Sequence, residues 1–256
     1  MKMVTQFNNI NIEDIKNIAV EAGSAIMKIY NKDFLVDYKE DDSPLTKADI
    51  KSNEIICSKL NKLYPDIPVM SEENKKIEYM IRKDWEYYFC IDPIDGTKEF
   101  IKRNDEFTVN IALIHKNIPI LGVVYAPALN DIYFAKKGYG AFKNNQKLPL
   151  FINEAPRTKL SVVASKSHLS KETQIYIDDL NTQNVEQISK GSSLKLCMVA
   201  VGEADIYPRL APTMEWDTAA ADAIVRCAGK MTYQFENDKS LVYNKENLLN
   251  PWFIVK

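Results

Sequence analysis

The N-terminal part of the chain carries two apolar patterns with the period of an α-helix. Over residues 12–30, apolar side chains recur at spacings of three and four, Asn11 precedes the stretch and acidic residues occupy its first turn, as at the start of a capped helix. A second pattern predicts a helix over residues 47–63 that begins after Thr46 as the N-cap and ends before Pro65.

Two short apolar runs follow these helices, and each leads into acidic residues. Residues 67–70 precede the segment 71–73, which reads Ser-Glu-Glu, and residues 87–91 precede the segment 92–95, which reads Asp-Pro-Ile-Asp. Runs of this length are typical of buried strands. We therefore expect both strands to deliver carboxylates at their ends.

The rest of the chain changes character twice. Strand-like runs over residues 107–114, 120–125 and 131–135 are separated by Pro- and Gly-containing turns, which predicts an antiparallel meander. Beyond Pro156 strands and helices alternate: a strand over 160–164, a helix near 172–180, a strand over 185–188, a helix over 194–201, a strand over 205–207 and a helix over 218–227.

These patterns predict a mixed α/β protein in two halves. Residues 1–155 form an α+β half with the meander, and residues 156–256 form an α/β half, with the junction near residues 150–158. No Ser/Gly linker marks the junction, so we expect the halves to pack tightly against each other.

Length and composition exclude several classes of protein. The chain has 256 residues, of which 46% are hydrophobic and 27% charged, as in ordinary globular proteins that bury a full core. Its formal net charge of -2 supplies no broad cationic field for a nucleic-acid backbone. Polymeric nucleic acid is therefore not expected as a partner.

Cysteine and histidine usage narrows the candidate chemistry. The four cysteines lack CxxC spacing and lie in apolar stretches, which predicts buried thiols in a reducing compartment. His115 and His168 are too few and too far apart for a His-rich zinc site, so a bound metal would need oxygen ligands. No apolar run has the length of a signal peptide or a membrane span, and we expect a cytoplasmic location.

Acidic residues recur in three short segments, over residues 71–73, 92–97 and 216–218. Together with the hydroxyl of Thr97 they form a set of hard oxygen donors, which Mg²⁺ prefers because it binds oxygen ligands in octahedral geometry and leaves room for substrate phosphate. The carboxylates of the set are Glu72, Asp92, Asp95 and Asp217.

The segment 92–97 is suited to hold both metal and phosphate. A strand that breaks at Pro93 lets the flanking carboxylates diverge and turns the carbonyl of Ile94 toward the ion. Gly96 permits close approach of the backbone to a phosphate, and the amides around Thr97 and Lys98 are placed to donate to its oxygens.

Each segment also has a purely structural interpretation. Asp followed by Pro, Asp and Gly is common in turns, and Asp217 is a suitable helix N-cap. Thr46 and Asp49 match a capping box, and Glu72 with Glu73 match an ordinary solvated pair.

The ordered set as a whole resembles the magnesium-dependent, lithium-sensitive phosphatases related to inositol monophosphatase, whose fold is a layered αβαβα sandwich. The resemblance extends from about Ile12 to the end of the chain. It is strongest to the bacterial CysQ-type 3'(2'),5'-bisphosphate nucleotidases. The segments that carry it are 42–49, 71–73, 92–101, 191–197, 207–209 and 216–220.

The resemblance implies two or three magnesium ions per active site. Glu72, Asp92 and the Ile94 carbonyl would hold the first ion, and Asp92, Asp95 and Asp217 the second, with a weaker third ion beside Glu72. It also implies in-line attack of water on the phosphate, with Thr97 and Asp49 relaying the proton and no covalent phosphoenzyme.

The substrate implied by the resemblance is adenosine 3',5'-bisphosphate, hydrolysed to AMP and phosphate in sulfate assimilation. Gly96 and Thr97 would contact the scissile phosphate, and further candidate contacts lie in the second half, where cations and hydroxyls suit a second phosphate. Those residues are His168, Ser192, Ser193, Lys195 and Arg209; each also has an ordinary role as a cap or a surface residue.

The chain departs from the resemblance at two neighbouring positions, where Ala221 and Asp222 stand in place of the usual glycine and histidine. The added charge is expected to alter either helix packing or substrate fit. The relative rates on the adenosine bisphosphate and its sulfated analogue stay open, as do oligomeric state (monomer or weak homodimer) and peripheral contact with the cytoplasmic face of the inner membrane.

Three other functions stay open from the residues alone. An inositol or other sugar monophosphatase would share all the metal ligands. A haloacid-dehalogenase-type phosphatase needs Asp-x-Asp, whereas two residues separate Asp92 from Asp95. A non-catalytic nucleotide-binding module is disfavoured because every expected ligand, Asp49 and Thr97 are present.

Overall fold

The N-terminal helices have the bounds that the sequence predicts. The computed structural model describes residues 10–38, 44–151, 159–167, 169–180 and 184–256. The Asn11 side chain accepts the amide of Glu13, and Thr46 forms a capping box with Asp49. The first elements are α1 (Ile12–Tyr30), β1 (Val36–Tyr38), β2 (Pro44–Thr46) and α2 (Lys47–Leu63).

A seven-stranded sheet forms the centre of the molecule, with its strands in sequence order. Its first two strands are parallel and all the others pair antiparallel, which confirms the predicted meander. The strands are β3 (Val69–Ser71), β4 (Tyr87–Asp95), β5 (Thr108–His115), β6 (Ile118–Ala126), β7 (Asp131–Lys136), β8 (Gly140–Lys143) and β9 (Gln146–Lys147). Two short helices, α3 (Tyr79–Arg82) and α4 (Thr97–Ile101), flank β4.

Both faces of this sheet are covered by helices, so its central strands β4, β5 and β6 are mainly apolar and almost wholly buried. Alternate residues of β4 enter two different apolar clusters: Phe89 and Ile91 pack with α1 and α2, whereas Tyr88 and Cys90 pack with the helices of the opposite face. On that opposite face a Cβ at Gly122 would lie 2.1 Å from the carbonyl oxygen of Ala220, which belongs to the helix over residues 215–227. Only glycine at position 122 therefore allows this helix to lie so close to the sheet.

The second half adds two small sheets and three helices. The strands β10 and β11 are parallel, and β12, β14 and β13 pair antiparallel in that order. The elements are β10 (Leu160–Ser165), α5 (Lys171–Asp178), β11 (Val185–Lys190), α6 (Leu194–Val201), β12 (Tyr207–Arg209), α7 (Glu215–Cys227), β13 (Thr232–Gln234) and β14 (Phe253–Val255).

The layers follow from the element contacts. The first layer is α1 with α2, the second is the central sheet, the third is α6 with α7, the fourth is the small sheets and the fifth is α5. This is the αβαβα order expected. One apolar cluster contains residues of both predicted halves, among them Tyr88, Val163 and Val199. The division at residues 155 and 156 stays a prediction, because residues 152–158 lie outside the described residues.

Three details of the sequence prediction are wrong. The strand β4 does not break at Pro93 but continues to Asp95, with a register shift between Asp92 and Asp95. The last helix begins at Glu215, three residues early, so Asp217 lies in its first turn and is not its N-cap. The strand β12 begins at Tyr207 rather than at residue 205.

Two further expectations concern the burial of the cysteines and the length and hydropathy of the helices. All four cysteines are free; Cys90 and Cys197 are buried as predicted, but Cys57 and Cys227 are only half-buried. Within the described ranges, the helices fall short of the length and apolar character that crossing a membrane requires.

Candidate active site

A cleft of about 300 Å³ opens where β4, α4, α6 and the start of α7 meet. Its lining contains most of the site residues expected from the sequence, drawn from both halves of the chain. They are Glu72, Asp92, Ile94, Asp95, Gly96, Thr97, Ser192, Ser193, Lys195, Arg209 and Asp217. His168 lies outside the described residues.

Three of the predicted carboxylates converge at one end of this cleft. An oxygen from each of Glu72, Asp92 and Asp217 lies within 4.8 Å of the others. The backbone orients them: Asp92 Oδ1 accepts the amide of Ile94 at 3.0 Å, and Asp217 Oδ2 accepts the amide of Met214 at 2.9 Å. We call these three side chains the acidic group.

The acidic group carries a strong electrostatic penalty. Burial raises the pKa of Asp92 and that of Asp217 well above their ordinary values, and repulsion from Glu72 and Asp95 raises both further. A cation placed between the carboxylates would relieve both effects. The oxygen-only donor set suits a hard divalent ion such as magnesium.

Asp95 is held differently from the acidic group. Its Oδ2 accepts the hydroxyl of Ser192 at 2.7 Å and the amide of Ser193 at 2.5 Å. Burial raises its pKa, partly offset by Lys195 and by these hydrogen bonds. Asp95 thus connects the segment 92–97 to the start of α6 in the second half of the chain.

Two residues that the sequence analysis missed support this connection. Thr108 Oγ1 lies 2.6 Å from Ser192 Oγ and 2.9 Å from Ser193 Oγ, and the Ser193 hydroxyl donates to Asn110 Oδ1 at 3.0 Å. Both lie in β5, which is otherwise apolar. Buried polar residues two positions apart in such a strand were the available signal.

Asp49 contacts the threonine of the segment 92–97. The Thr97 hydroxyl lies 3.3 Å from Asp49 Oδ1 and 3.3 Å from the Ile94 carbonyl oxygen, so its single proton serves one acceptor at a time. Burial raises the pKa of Asp49, against the lowering effect of its hydrogen bonds from Thr46. The predicted proton relay therefore has its two members in contact.

Two buried cations line the cleft. The Lys195 ammonium donates to the Ser192 carbonyl and lies over the Tyr207 ring, and burial lowers the pKa of Lys195 to about 8 although Asp95 opposes the shift. The Arg209 guanidinium donates from Nη2 to the Pro212 carbonyl at 2.9 Å. Cations with so little water around them are suited to bind an anionic ligand.

Asp222 is remote from this chemistry. It is fully buried, pairs with Arg226 at 2.9 Å and accepts the hydroxyl of Tyr243 at 3.0 Å. It does not line the cleft. Of the two effects expected for its charge, the structure therefore supports helix packing.

Comparison with known proteins agrees with the geometry. A model of the inositol monophosphatase family matches residues 8–251. The 3'(2'),5'-bisphosphate nucleotidases CysQ of Salmonella typhimurium and Escherichia coli K12 are each 44% identical over 247 residues, covering 95% of this chain and 98% of theirs.

Solved structures show the same likeness. The crystal structure of CysQ from Bacteroides thetaiotaomicron superposes with a TM-score of 0.86 and 46% identity, covering 96% of either chain. An IMPase from Thermotoga maritima matches with a TM-score of 0.77 over 94% of this chain and 89% of its own, at 24% identity, which is a likeness of fold alone.

Proposed function

The chain belongs to the inositol monophosphatase family, and from that premise we propose that it is a phosphatase that hydrolyses adenosine 3',5'-bisphosphate to AMP and inorganic phosphate. The choice of substrate rests on one observation, the charges of the side chains that line the cleft. Carboxylates suited to hold cations and two buried cationic side chains line the same space. A substrate with two phosphates has an anionic group for each region.

The donor set fits magnesium. Glu72, Asp92 and the Ile94 carbonyl would hold the first ion, and Asp92, Asp95 and Asp217 the second, with a weaker third ion beside Glu72. The convergence of the acidic group supports this arrangement. The raised pKa values of Asp92 and Asp217 support this, because the apoprotein carries uncompensated repulsion. When bound, magnesium supplies positive charge that neutralises phosphate oxygens in the transition state.

The chain's own residues supply the proton transfer. Asp49 Oδ1 is in contact with the Thr97 hydroxyl, so Thr97 can pass a proton from the attacking water to the carboxylate. The raised pKa of Asp49 makes it a better base near neutral pH than an exposed aspartate. Gly96, which has a φ of 91°, keeps the backbone beside the phosphate free of a side chain.

Lys195 and Arg209 are proposed to bind the second phosphate. Lys195 supplies a compact charge and Arg209 a planar fork that can bind two phosphate oxygens at once. A sugar monophosphate offers nothing to these cations, which disfavours the inositol ester as substrate. Four matters stay predictions: the role in sulfate assimilation, the cytoplasmic location, the monomeric or weakly dimeric state, and the contact with the cytoplasmic face of the inner membrane.

Phosphate release by the purified protein tests the function. Adenosine 3',5'-bisphosphate, adenosine 3'-phosphate and inositol 1-phosphate are compared with magnesium, without it, and with added lithium. We expect magnesium-dependent hydrolysis with the highest kcat/KM on the bisphosphate, and a Lys195→Met variant that loses this preference over the 3'-monophosphate. Higher kcat/KM on inositol 1-phosphate would refute the assignment in favour of a sugar monophosphatase.

A further inference from the structure

One buried carboxylate of the cleft takes no part in the proposed metal binding or proton transfer. Glu99 lies in the first turn of α4, is 4% exposed and lines the cleft. Among the described residues, the one hydrogen bond to its side chain comes from the Ser167 hydroxyl, which donates to Oε1 at 2.5 Å. Within the described ranges it forms no ion pair with a lysine or arginine.

Two glycines make the space for this side chain. A Cβ at position 191 would lie 2.8 Å from Glu99 Cγ, and a Cβ at Gly96 would lie 3.3 Å from Glu99 Oε2. Gly191 therefore permits the side chain to lie in the cleft at all. The second contact places Oε2 directly over Gly96, beside the loop proposed to hold the scissile phosphate.

A carboxylate at this place opposes the binding of an anion. Its negative charge repels phosphate, and among the described residues no protein donor is bonded to Oε2, which faces the cleft. A ligand that fills the cleft displaces water from Oε2, which costs free energy unless the ligand supplies a donor. Because an ionised carboxylate only accepts hydrogen bonds, the compensating group has to be a donor on the ligand.

We propose that Glu99 determines specificity by accepting, at Oε2, a hydrogen bond from the substrate hydroxyl vicinal to the scissile phosphate. This inference rests on the proposed function. In a nucleoside 3',5'-bisphosphate the hydroxyl is the ribose 2'-OH, which is bonded to the carbon next to the one that carries the phosphate. The position of Oε2 over Gly96 favours it over the amino group of the base, which lies at the far end of the nucleoside.

The test compares adenosine 3',5'-bisphosphate with its 2'-deoxy analogue. For the wild type we expect kcat/KM to fall about 10- to 100-fold without the hydroxyl, the range of a hydrogen bond to a charged group. The variant Glu99→Met keeps the length of the side chain and removes both oxygens. It should reduce this ribo-to-deoxy ratio to within about threefold.

Two further variants separate the proposal from general effects on charge or folding. Glu106→Gln removes a nearby charge that pairs with Lys166 and Lys190 outside the cleft and should leave the ratio unchanged. Ser167→Ala removes the donor that fixes Oε1 and should reduce the ratio several-fold even if Glu99→Met folds poorly.

The outcomes distinguish this inference from the proposed function. The role of Glu99 is overturned, and the phosphatase assignment stands, if the wild type hydrolyses both nucleotides at similar kcat/KM. The same conclusion follows if the ribo-to-deoxy ratio is unchanged in both the Glu99→Met and Ser167→Ala variants. Absence of hydrolysis on either nucleotide refutes the function and the inference together.

Discussion

The two oxygens of Asp49 are divided between the helix cap and the cleft. Oδ2 accepts the amide and the hydroxyl of Thr46 at 2.8 and 2.6 Å, whereas Oδ1 lies 3.3 Å from the Thr97 hydroxyl. The two bonds to Oδ2 orient the carboxylate so that Oδ1 points toward Thr97. A residue with an ordinary structural role thereby becomes available as a base.

Loss of either member of this pair should slow the chemical step. We expect Thr97→Ala and Asp49→Asn each to lower kcat about 10²- to 10⁴-fold, the range of general-base catalysis, with less than a threefold change in KM. The double variant should be little worse than either single one, because the two groups act as a unit. Steady-state kinetics with melting temperatures measures this.

Thr46→Ser is the matched control for the capping contact. It keeps the hydroxyl that donates to Asp49 Oδ2 and should retain nearly full kcat. Independent, multiplicative losses in the double variant would contradict the relay, because two groups that act separately contribute additive free energies.

Whether the sequence predicts a feature of this site depends on how far apart along the chain the contacting residues lie. The capping box of Thr46 and Asp49 is encoded by residues three positions apart, and it was predicted correctly with the bounds of α2. The sequence also predicts the acidic group, because strand ends place Glu72 and Asp92 side by side on parallel neighbours and the third acidic segment contributes Asp217.

Other features depend on contacts that no local pattern encodes. The hydroxyl of Ser192 reaches Asp95 across 97 positions, and the space for Glu99 depends on Gly191. The start of α7 was placed too late because Asp217 resembles an N-cap, whereas the chain places it in the first turn, where its Oδ2 accepts the Met214 amide.

Stability of the metal-free protein should fall as pH rises. The pKa values of Asp92 and Asp217 are raised in the folded state, so above about pH 4 the folded chain retains protons that the unfolded chain has released. This contribution is fully present below the unfolded pKa and is lost as pH rises through the folded values. Thermal unfolding in EDTA from pH 4 to 8 should show it, and magnesium should reduce the slope.

Asp217→Asn isolates the electrostatic part of this effect. Removing one charge of the acidic group should raise the Tm of the metal-free protein by about 2–4 °C, the shift that corresponds to 1 kcal/mol in a domain of this size, and abolish hydrolysis. Asn still accepts the Met214 amide, which keeps the start of α7 intact. A lower Tm of the variant in EDTA would contradict this prediction, because it would show that repulsion within the acidic group does not destabilise the metal-free protein.

Ser192→Ala tests whether the serine hydroxyl just before α6 acts on Asp95 or on substrate. The change removes the hydroxyl that donates to Asp95 Oδ2 at 2.7 Å. We expect kcat to fall about tenfold and the magnesium concentration for half-maximal rate to rise, with KM for the nucleotide nearly constant. A raised KM at unchanged kcat would instead restore Ser192 as a direct substrate contact.

Binding of the second phosphate should weaken as pH passes the pKa of Lys195, which burial lowers to about 8. The ammonium is charged below this pH and neutral above it, so KM for the bisphosphate should rise about tenfold between pH 7 and 9. Lys195→Arg should flatten the profile, because arginine stays charged. Adenosine 3'-phosphate, which lacks the second phosphate, should show no such rise; a parallel rise would assign the effect to another group.

Asp222 should be important for folding and neutral for catalysis, because it pairs with Arg226 inside the protein and does not line the cleft. Asp222→Ala leaves the half-buried Arg226 guanidinium without its ion-pair partner, and we expect a loss of about 3 kcal/mol in the free energy of unfolding, the lower end of the range for a fully buried pair. The double variant Asp222→Leu with Arg226→Met replaces the pair by apolar side chains and should recover most of this loss. Urea unfolding measures the stability, and kcat per folded molecule should stay within twofold. A change in the ribo-to-deoxy ratio or in KM at full folding would show that the departure at position 222 reaches the substrate after all.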